Sequence, residues 1–268
     1  MKIVLVGTGK MGCALAGGVL RAGLALPGDL VGVDQTELAR EGFAGAAPGA
    51  RWTKDGAEVV GRAEVIVLAV KPNQVVGVLR ELGPVAGSPL WVTVAAGVPL
   101  RRYLEVLGEA ARVVRVMPNT PVLVNEGMTA YAATGTVREA ERDWVERLFG
   151  AVGRVVQVKE EALDAVTAVS GSGPAYFFKI FAALAKAGAE EGLDEEEALR
   201  MVAQTARGAA AMVLEGLGSP EALAAQVTSK GGTTEAALIR MEALGLAGLM
   251  AEAVRAAARR SRELAGEA

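Results

Sequence analysis

Lys2-Ile3-Val4-Leu5-Val6-Gly7-Thr8-Gly9-Lys10-Met11-Gly12 begins with an apolar, β-branched run and ends in three spaced glycines. A helical pattern follows at once. Strand, glycine turn, then helix is the arrangement that binds dinucleotides. Gly7 allows the tight turn, Gly9 lets backbone approach a pyrophosphate, and Gly12 permits close helix–strand packing. Thr8, Lys10 and Met11 complete the turn, and the helix N-terminus favours the negative charge. Three glycines alone carry little weight in a chain with 34 of them. Their position between a strand and a helix is what points to a cofactor rather than an ordinary turn.

Outward from this turn, β-branched runs alternate with helical stretches. Strands are expected at Lys2–Val6, Leu30–Val33, Glu64–Val70, Leu90–Ala95, Arg112–Val116, Met128–Ala133 and Arg154–Val158. Helices are expected at Met11–Ala22, Gln74–Leu82, Leu100–Leu107 and Glu139–Phe149, the last with a capping box from Thr136 to Glu139. Such alternation implies an α/β fold with a doubly wound, mostly parallel sheet. From about Glu160 the pattern becomes all helical and rich in Ala. Leu199, Val202, Ala206, Ala209 and Val213 recur at helical spacing. Gly192 ends one helix, Asp194 with Glu197 caps the next, and Ser219-Pro220 opens another. The expected division is therefore 1–159 and 160–268. The helical half is apolar enough to bury surface against another subunit.

Composition narrows the chemistry. The chain has 268 residues, 28 basic and 31 acidic, for a net charge of −3. That balance supplies no basic field for nucleic acid. The uncharged stretch Leu82–Leu100 is broken by Gly and Pro and reads as loop, strand, loop rather than a membrane span. No signal peptide is read at the N-terminus. The single cysteine, Cys13, rules out an internal disulfide and fits a reducing, cytoplasmic setting. Histidine is absent altogether. This removes histidine general bases and histidine metal ligands, and no metal site is expected.

The second expected strand ends at Asp34, about 20 residues beyond Gly12, where an acid bonds the adenosine ribose and repels a 2′-phosphate. This favours NADH over NADPH, although Arg40 could serve a phosphate. Later strands end in Ala69-Val70-Lys71-Pro72-Asn73 and Ala95-Ala96-Gly97, where ligands bind in open α/β sheets. Small residues at 95–97 would let a nicotinamide lie against backbone. Two glycines and two threonines in Ser229-Lys230-Gly231-Gly232-Thr233-Thr234 precede a helical run. They read as a carboxylate-binding helix start with a hydroxyl beside it, or as a plain helix cap.

These segments, with Met117-Pro118-Asn119-Thr120-Pro121 and Ser170-Gly171-Ser172-Gly173-Pro174-Ala175-Tyr176, resemble the pyrroline-5-carboxylate reductases. The resemblance runs nearly the length of the chain and in the family's order. It departs at Lys230, where many members have Pro, and at Asp34, where others place phosphate-binding residues. It implies an N-terminal Rossmann domain and an all-α C-terminal dimerisation domain. It also implies homodimers intertwined through their helical domains, some assembling into homodecamers, with the active site where one subunit's nucleotide domain meets its partner's helices. The implied reaction reduces L-1-pyrroline-5-carboxylate to L-proline with NADPH or NADH. By resemblance Thr234 bonds the ring nitrogen, and Ser229, Gly231, Gly232 and Thr233 hold the carboxylate. Pro118 and Asn119 lie by the nicotinamide, and Val169, Ser170, Gly173 and Pro174 wall the pocket. An imine that arrives protonated needs little acid–base machinery, which suits a chain without histidine.

Three other readings compete, one of them a purely structural helical oligomer, which leaves the glycine turn unexplained. A β-hydroxyacid dehydrogenase would use a helix lysine, here Lys179, as base; the Ser229–Thr234 segment argues against it. A non-enzymatic dinucleotide-binding regulator would need no carboxylate site. Tyr176 reads as a pocket wall and Cys13 as a small packed residue. Glu195-Glu196-Glu197 reads as a solvated first helical turn, and Arg259-Arg260 is too short for a nucleic-acid patch.

Overall fold

Ile3–Val6 forms β1, buried at every residue, as a central parallel strand must be. In this computed structural model, which describes residues 1–82, 85 and 87–267, β1 pairs in parallel with β2 (Leu30–Val33) and β4 (Val65–Leu68). The sheet is completed by β3 (Arg51–Thr53), β5 (Leu90–Thr93), β6 (Arg112–Met117), β7 (Gly127–Ala133) and β8 (Gly153–Gln157). Its order is β3-β2-β1-β4-β5-β6-β7-β8, and only the β6–β7 pairing is antiparallel. The doubly wound architecture read from the sequence is the one observed.

Alternation along β1 serves two cores. Ile3 and Leu5 face α1 (Lys10–Arg21) and α2 (Glu37–Ala46), packing with Leu15, Val19 and Phe43. Val4 and Val6 face the other layer, with Ile66 and Leu68 of β4. That layer holds α3 (Gly56–Val60), α4 (Val75–Leu82) and α5 (Leu100–Leu107), and Val75, Leu79 and Tyr103 fill it. The first core extends to Trp144, Leu148 and Phe149 of α6 (Glu139–Gly150).

Several local expectations need correction. β3, α2 and α3 were not expected; Gly42 and Gly45 dilute the helical pattern of α2, although Thr36 caps it at Ala39. β4 and β5 end at Leu68 and Thr93, two residues earlier than expected, because the chain turns out of the sheet there. The cap of α6 is Arg138 with Glu141, not Thr136 with Glu139. Thr136 Oγ1 instead donates to the Ala111 carbonyl at 2.6 Å. Within Leu82–Leu100, Gly83, Pro84 and Ala86 lie outside the described residues; the strand is present at β5.

The described chain groups into two compact units: Met1–Ser172 with the chain from Ala256 onward, and Gly173–Arg255. Residues after β8 stay with the sheet. Leu163, in the short helix α7 (Leu163–Val166), is buried beside Ala130 and Ala132. The last helix, α12 (Leu246–Glu267), places Ser261 Oγ 2.6 Å from Asp164 Oδ1.

The second unit holds α8 (Gly173–Glu190), α9 (Glu195–Leu214), α10 (Pro220–Gln226), α11 (Thr233–Ala243) and the start of α12. Asp194 and Ser219 cap α9 and α10 as expected. α8 packs on α9, yet among the described residues of this unit only Gly173, Ala185 and Ala198 are buried. Phe177, Phe178, Ile239 and Leu249 are all exposed. So wide an exposed apolar surface marks an interaction face. Among the described residues, no helix is long and apolar enough to cross a membrane, and no cluster of acidic residues and cysteine is placed to hold a metal.

Candidate active site

The glycine turn is built for one conformation. Gly7 has φ +94°, and a Cβ there would lie 2.6 Å from the Ala69 carbonyl oxygen. A Cβ on Gly12 would overlap the Gly7 carbonyl. Gly9 is the N-cap of α1, with no side chain capping the helix and no acid in its first turn. A Cβ on Gly9 would meet nothing within 4 Å. The first amides of α1 are therefore open to an anion, and the residues present fit a dinucleotide pyrophosphate.

Asp34 closes the turn from β2. Its Oδ2 accepts the Thr8 N–H at 2.8 Å and its Oδ1 the Gln35 N–H at 2.7 Å. Thr8 is buried; its hydroxyl donates to the Ala39 carbonyl at 3.4 Å and accepts from Trp52 Nε1 at 3.2 Å. Burial pushes the Cys13 thiol above its ordinary pKa and the Asp34 charge adds to this, in keeping with a packed thiol. A cavity of about 540 Å³ runs past Gly9, Asp34, Lys54, Val70, Lys71 and Gln74. Ala69 and Val70 also line it, and Pro72 begins a short turn in which Gln74 Oε1 accepts the Lys71 N–H at 3.3 Å.

The next two strand ends carry Ala95-Ala96-Gly97 and Pro118-Asn119. The Ala95 N–H donates to Thr93 Oγ1 at 3.3 Å, and Thr93 Oγ1 lies 2.6 Å from the buried Tyr103 hydroxyl. Burial pushes the Tyr103 pKa up to about 12, against the Thr93 hydrogen bond and the Arg115 charge. Leu264 of α12 covers Gly97, 3.2 Å from where a Cβ would sit. Glu160 Oε1 accepts both the Leu100 N–H at 2.7 Å and Arg115 Nη1 at 3.1 Å. The sequence reading singled out none of Tyr103, Arg115, Glu160 or Leu264. Arginine inside the apolar run of β6 was the available signal for a buried partner.

Asn119 is half-buried and fully engaged. Its Oδ1 accepts the Met128 N–H at 2.9 Å, and its Nδ2 donates to the Ser170 carbonyl at 3.2 Å. Ser170 belongs to a π-turn, Thr167–Gly171, where Ser172 N–H reaches the Thr167 carbonyl at 2.8 Å. Such turns interrupt helices mostly at functional sites. Val169 stands exposed at its outer side. Gly7–Gly12, Asp34, Ala69–Pro72, Ala95–Gly97, Pro118-Asn119 and Val169-Ser170 thus all belong to the sheet-bearing unit.

Gly173, Pro174 and the Ser229–Thr234 segment belong to the helical unit. α11 begins at Thr233 with Gly232 as N-cap and no side-chain cap, so Thr233 and Thr234 carry first-turn amides. Gly231 has φ +74°, and its N–H donates to Glu235 Oε2 at 2.7 Å. The Gly232 N–H donates to the Ser229 carbonyl at 2.9 Å. Two of the three amides expected to hold a carboxylate are therefore engaged within the chain, one of them by a carboxylate. The signal for Glu235 was its place at the third helical position, where an acid reaches back over a helix start. Lys179 is exposed on α8 and Tyr176 is half-buried.

Comparison with known proteins places this geometry. Residues 160–264 match the pyrroline-5-carboxylate reductase dimerisation family, and residues 2–97 match the family described as NADP oxidoreductase, coenzyme F420-dependent. The pyrroline-5-carboxylate reductase of Methanosarcina acetivorans is 39% identical over 98% of this chain and 97% of its own. The structure of that enzyme from Coxiella burnetii superposes with a TM-score of 0.90 at 36% identity, covering 98% of each chain. The Plasmodium falciparum pyrroline carboxylate reductase, solved with NADP bound, superposes at 0.88 with 29% identity, covering 99% of this chain and 98% of its own. The helical unit that lacks a core is the counterpart of the family's dimerisation domain, and the chain is a homo-oligomer. With likeness of this extent in both sequence and fold, the chain belongs to the pyrroline-5-carboxylate reductase family.

Proposed function

We propose that the chain reduces L-1-pyrroline-5-carboxylate to L-proline by hydride transfer from NAD(P)H, the last step of proline biosynthesis. The full-length relationship to pyrroline-5-carboxylate reductases carries this reading. The open N-terminus of α1 and the uncapped start of α11 supply its two binding ends. Bound NAD(P)H supplies the hydride. The glycine turn, from Gly7 to Gly12, holds the pyrophosphate, and Asp34 takes the adenosine ribose. Ala69 to Pro72, Ala95 to Gly97 and Pro118 with Asn119 line the path to the nicotinamide.

The substrate's carboxylate is held at the turn of Ser229, Gly231, Gly232 and Thr233, where the Gly231 N–H is met first by Glu235 and the Gly232 N–H by the Ser229 carbonyl. Thr234 bonds the ring nitrogen, and Val169, Ser170, Gly173 and Pro174 wall the ring. An imine that arrives protonated needs no side chain to shuttle a proton before hydride reaches its carbon. Orientation then carries the rate. In domain terms the dimerisation match at 160–264 supports a division into 1–159 and 160–268, while the compact units keep residues 160–172 and the chain from Ala256 onward with the sheet. The assembly is a homodimer, with a decamer as its higher form, and the single cysteine fits a cytoplasmic setting.

The test is oxidation of NADH and NADPH, followed by absorbance, with pyrroline-5-carboxylate and with Thr234→Ala alongside the parent chain. Turnover that collapses in the variant while dinucleotide affinity holds supports the assignment. A folded protein that binds dinucleotide but turns over with neither cofactor overturns it.

A further inference from the structure

The end of β2 differs in charge from a site that welcomes an extra phosphate. We infer that this chain selects NADH against NADPH, through a pinned Asp34 and through Glu37, which answers the cations nearby. The inference rests on the dinucleotide site proposed above.

A dinucleotide's adenosine ribose reaches the residue that ends the second strand. Here that residue is a carboxylate held at both oxygens, by the Thr8 N–H at 2.8 Å and the Gln35 N–H at 2.7 Å. It cannot swing away without breaking two charge-assisted hydrogen bonds, one of them to the glycine turn itself. A carboxylate has about four acceptor sites, so Asp34 keeps capacity for a ribose hydroxyl. A 2′-phosphate has no proton to give at neutral pH and would face a fixed negative charge.

Three features beside Asp34 could offset this repulsion, and each is already answered. The N-terminus of α2 is capped by Thr36, whose Oγ1 accepts the Ala39 N–H at 3.2 Å. Its first turn carries Glu37. Arg40 Nη1 lies 3.0 Å from Glu37 Oε2, and Lys54 Nζ lies 3.9 Å from Glu37 Oε1. One carboxylate thus sits between the two cations best placed to meet a phosphate. These pairs are exposed and individually weak. Their weight lies in charge balance: Asp34 and Glu37 cancel Arg40 and Lys54, leaving no net positive field for the phosphate.

The experiment is calorimetric titration of the full chain with NADH and with NADPH at low ionic strength, without substrate. The parent chain should bind NADH at least about tenfold more tightly than NADPH. Glu37→Gln should raise NADPH affinity relative to NADH by about two- to fivefold, and added salt should erase that gain. Asp34→Ser should bring the two affinities close together. Equal or tighter binding of NADPH by the parent chain overturns the inference and leaves the dinucleotide site standing. A folded chain that binds neither dinucleotide brings down the site and the inference with it. A ratio unmoved in both variants overturns the roles of Asp34 and Glu37.

Discussion

Asn119 Nδ2 donates to the Ser170 carbonyl at 3.2 Å, across a separation of about fifty residues in sequence, while Oδ1 of the same side chain accepts the Met128 N–H. One amide joins the end of β6, the start of β7 and the π-turn that carries Val169. That geometry ties the turn to the sheet. Asn119→Ala leaves the Met128 N–H without its acceptor, a loss of about 1–3 kcal/mol. A thermal melt should shift down by roughly 3–8 °C. Asn119→Asp keeps the bond to Met128 and loses the donor to Ser170. It should melt nearer the parent chain yet show a raised KM for the pyrroline substrate. Equal KM values in Asn119→Asp and the parent would remove the link from Asn119 to the pocket wall.

Glu235 occupies an amide assigned above to the substrate. Its Oε2 lies 2.7 Å from the Gly231 nitrogen, so an arriving carboxylate meets a carboxylate already in place. Glu235→Ala frees that N–H and removes a like charge. The KM for pyrroline-5-carboxylate should fall about three- to tenfold with kcat little changed, as removal of a competitor requires. Inhibition by proline, read in the same assay, should tighten in parallel. A rise in KM would mean that Glu235 shapes the loop rather than competes for it.

Legibility followed distance along the chain. The glycine turn and the strand leading to Asp34 were readable because each is a local pattern with a local cause, whereas β4 and β5 stop at Leu68 and Thr93, short of the ends expected at Val70 and Ala95. The caps at Asp194 and Ser219 were readable for the same reason. Thr136 shows the limit of such rules. It has the right residue type for a cap, but the Ala111 carbonyl lies 2.6 Å away and takes its hydroxyl. Glu160 was unreadable because its partners, Leu100 and Arg115, are brought to it only by the finished sheet. Leu264 over Gly97 is the same case at greater range. β3 escaped notice because an edge strand of three residues shows no alternation to read.

Tyr103 links pH to the support beneath Ala95. Burial favours its neutral phenol, and its pKa stands at about 12. A folded-state pKa above the unfolded value of about 10 stabilises the fold below pH 10. That contribution is lost as pH rises from 10 through 12. Tyr103→Phe removes the hydroxyl 2.6 Å from Thr93 and should cost about 1 kcal/mol at pH 7. Urea melts of both proteins at pH 7 and pH 11 check the sign: the difference should shrink at the higher pH. A difference that is constant or grows would contradict the raised pKa.

Glu160 holds the base of the Ala95–Gly97 loop through one oxygen, which accepts both the Leu100 N–H and Arg115 Nη1. Arg115 is buried within β6 and its side chain is 7% exposed, against 31% for Glu160. The partly exposed carboxylate is screened by water, which discounts the pair; the buried guanidinium is not so relieved. Removing only the acid strands a charge in the sheet. Glu160→Ala should therefore destabilise the protein by about 2–4 kcal/mol, whereas Arg115→Met with Glu160→Ala should recover much of the loss. A double-mutant cycle in urea measures the coupling. Glu160 also sets the start of α5, so Glu160→Ala should loosen the loop beneath the proposed nicotinamide site and weaken dinucleotide binding about threefold to tenfold. The double variant restores stability without restoring the Leu100 contact, so its affinity should stay low. Recovery of both together would show that Glu160 acts only through Arg115.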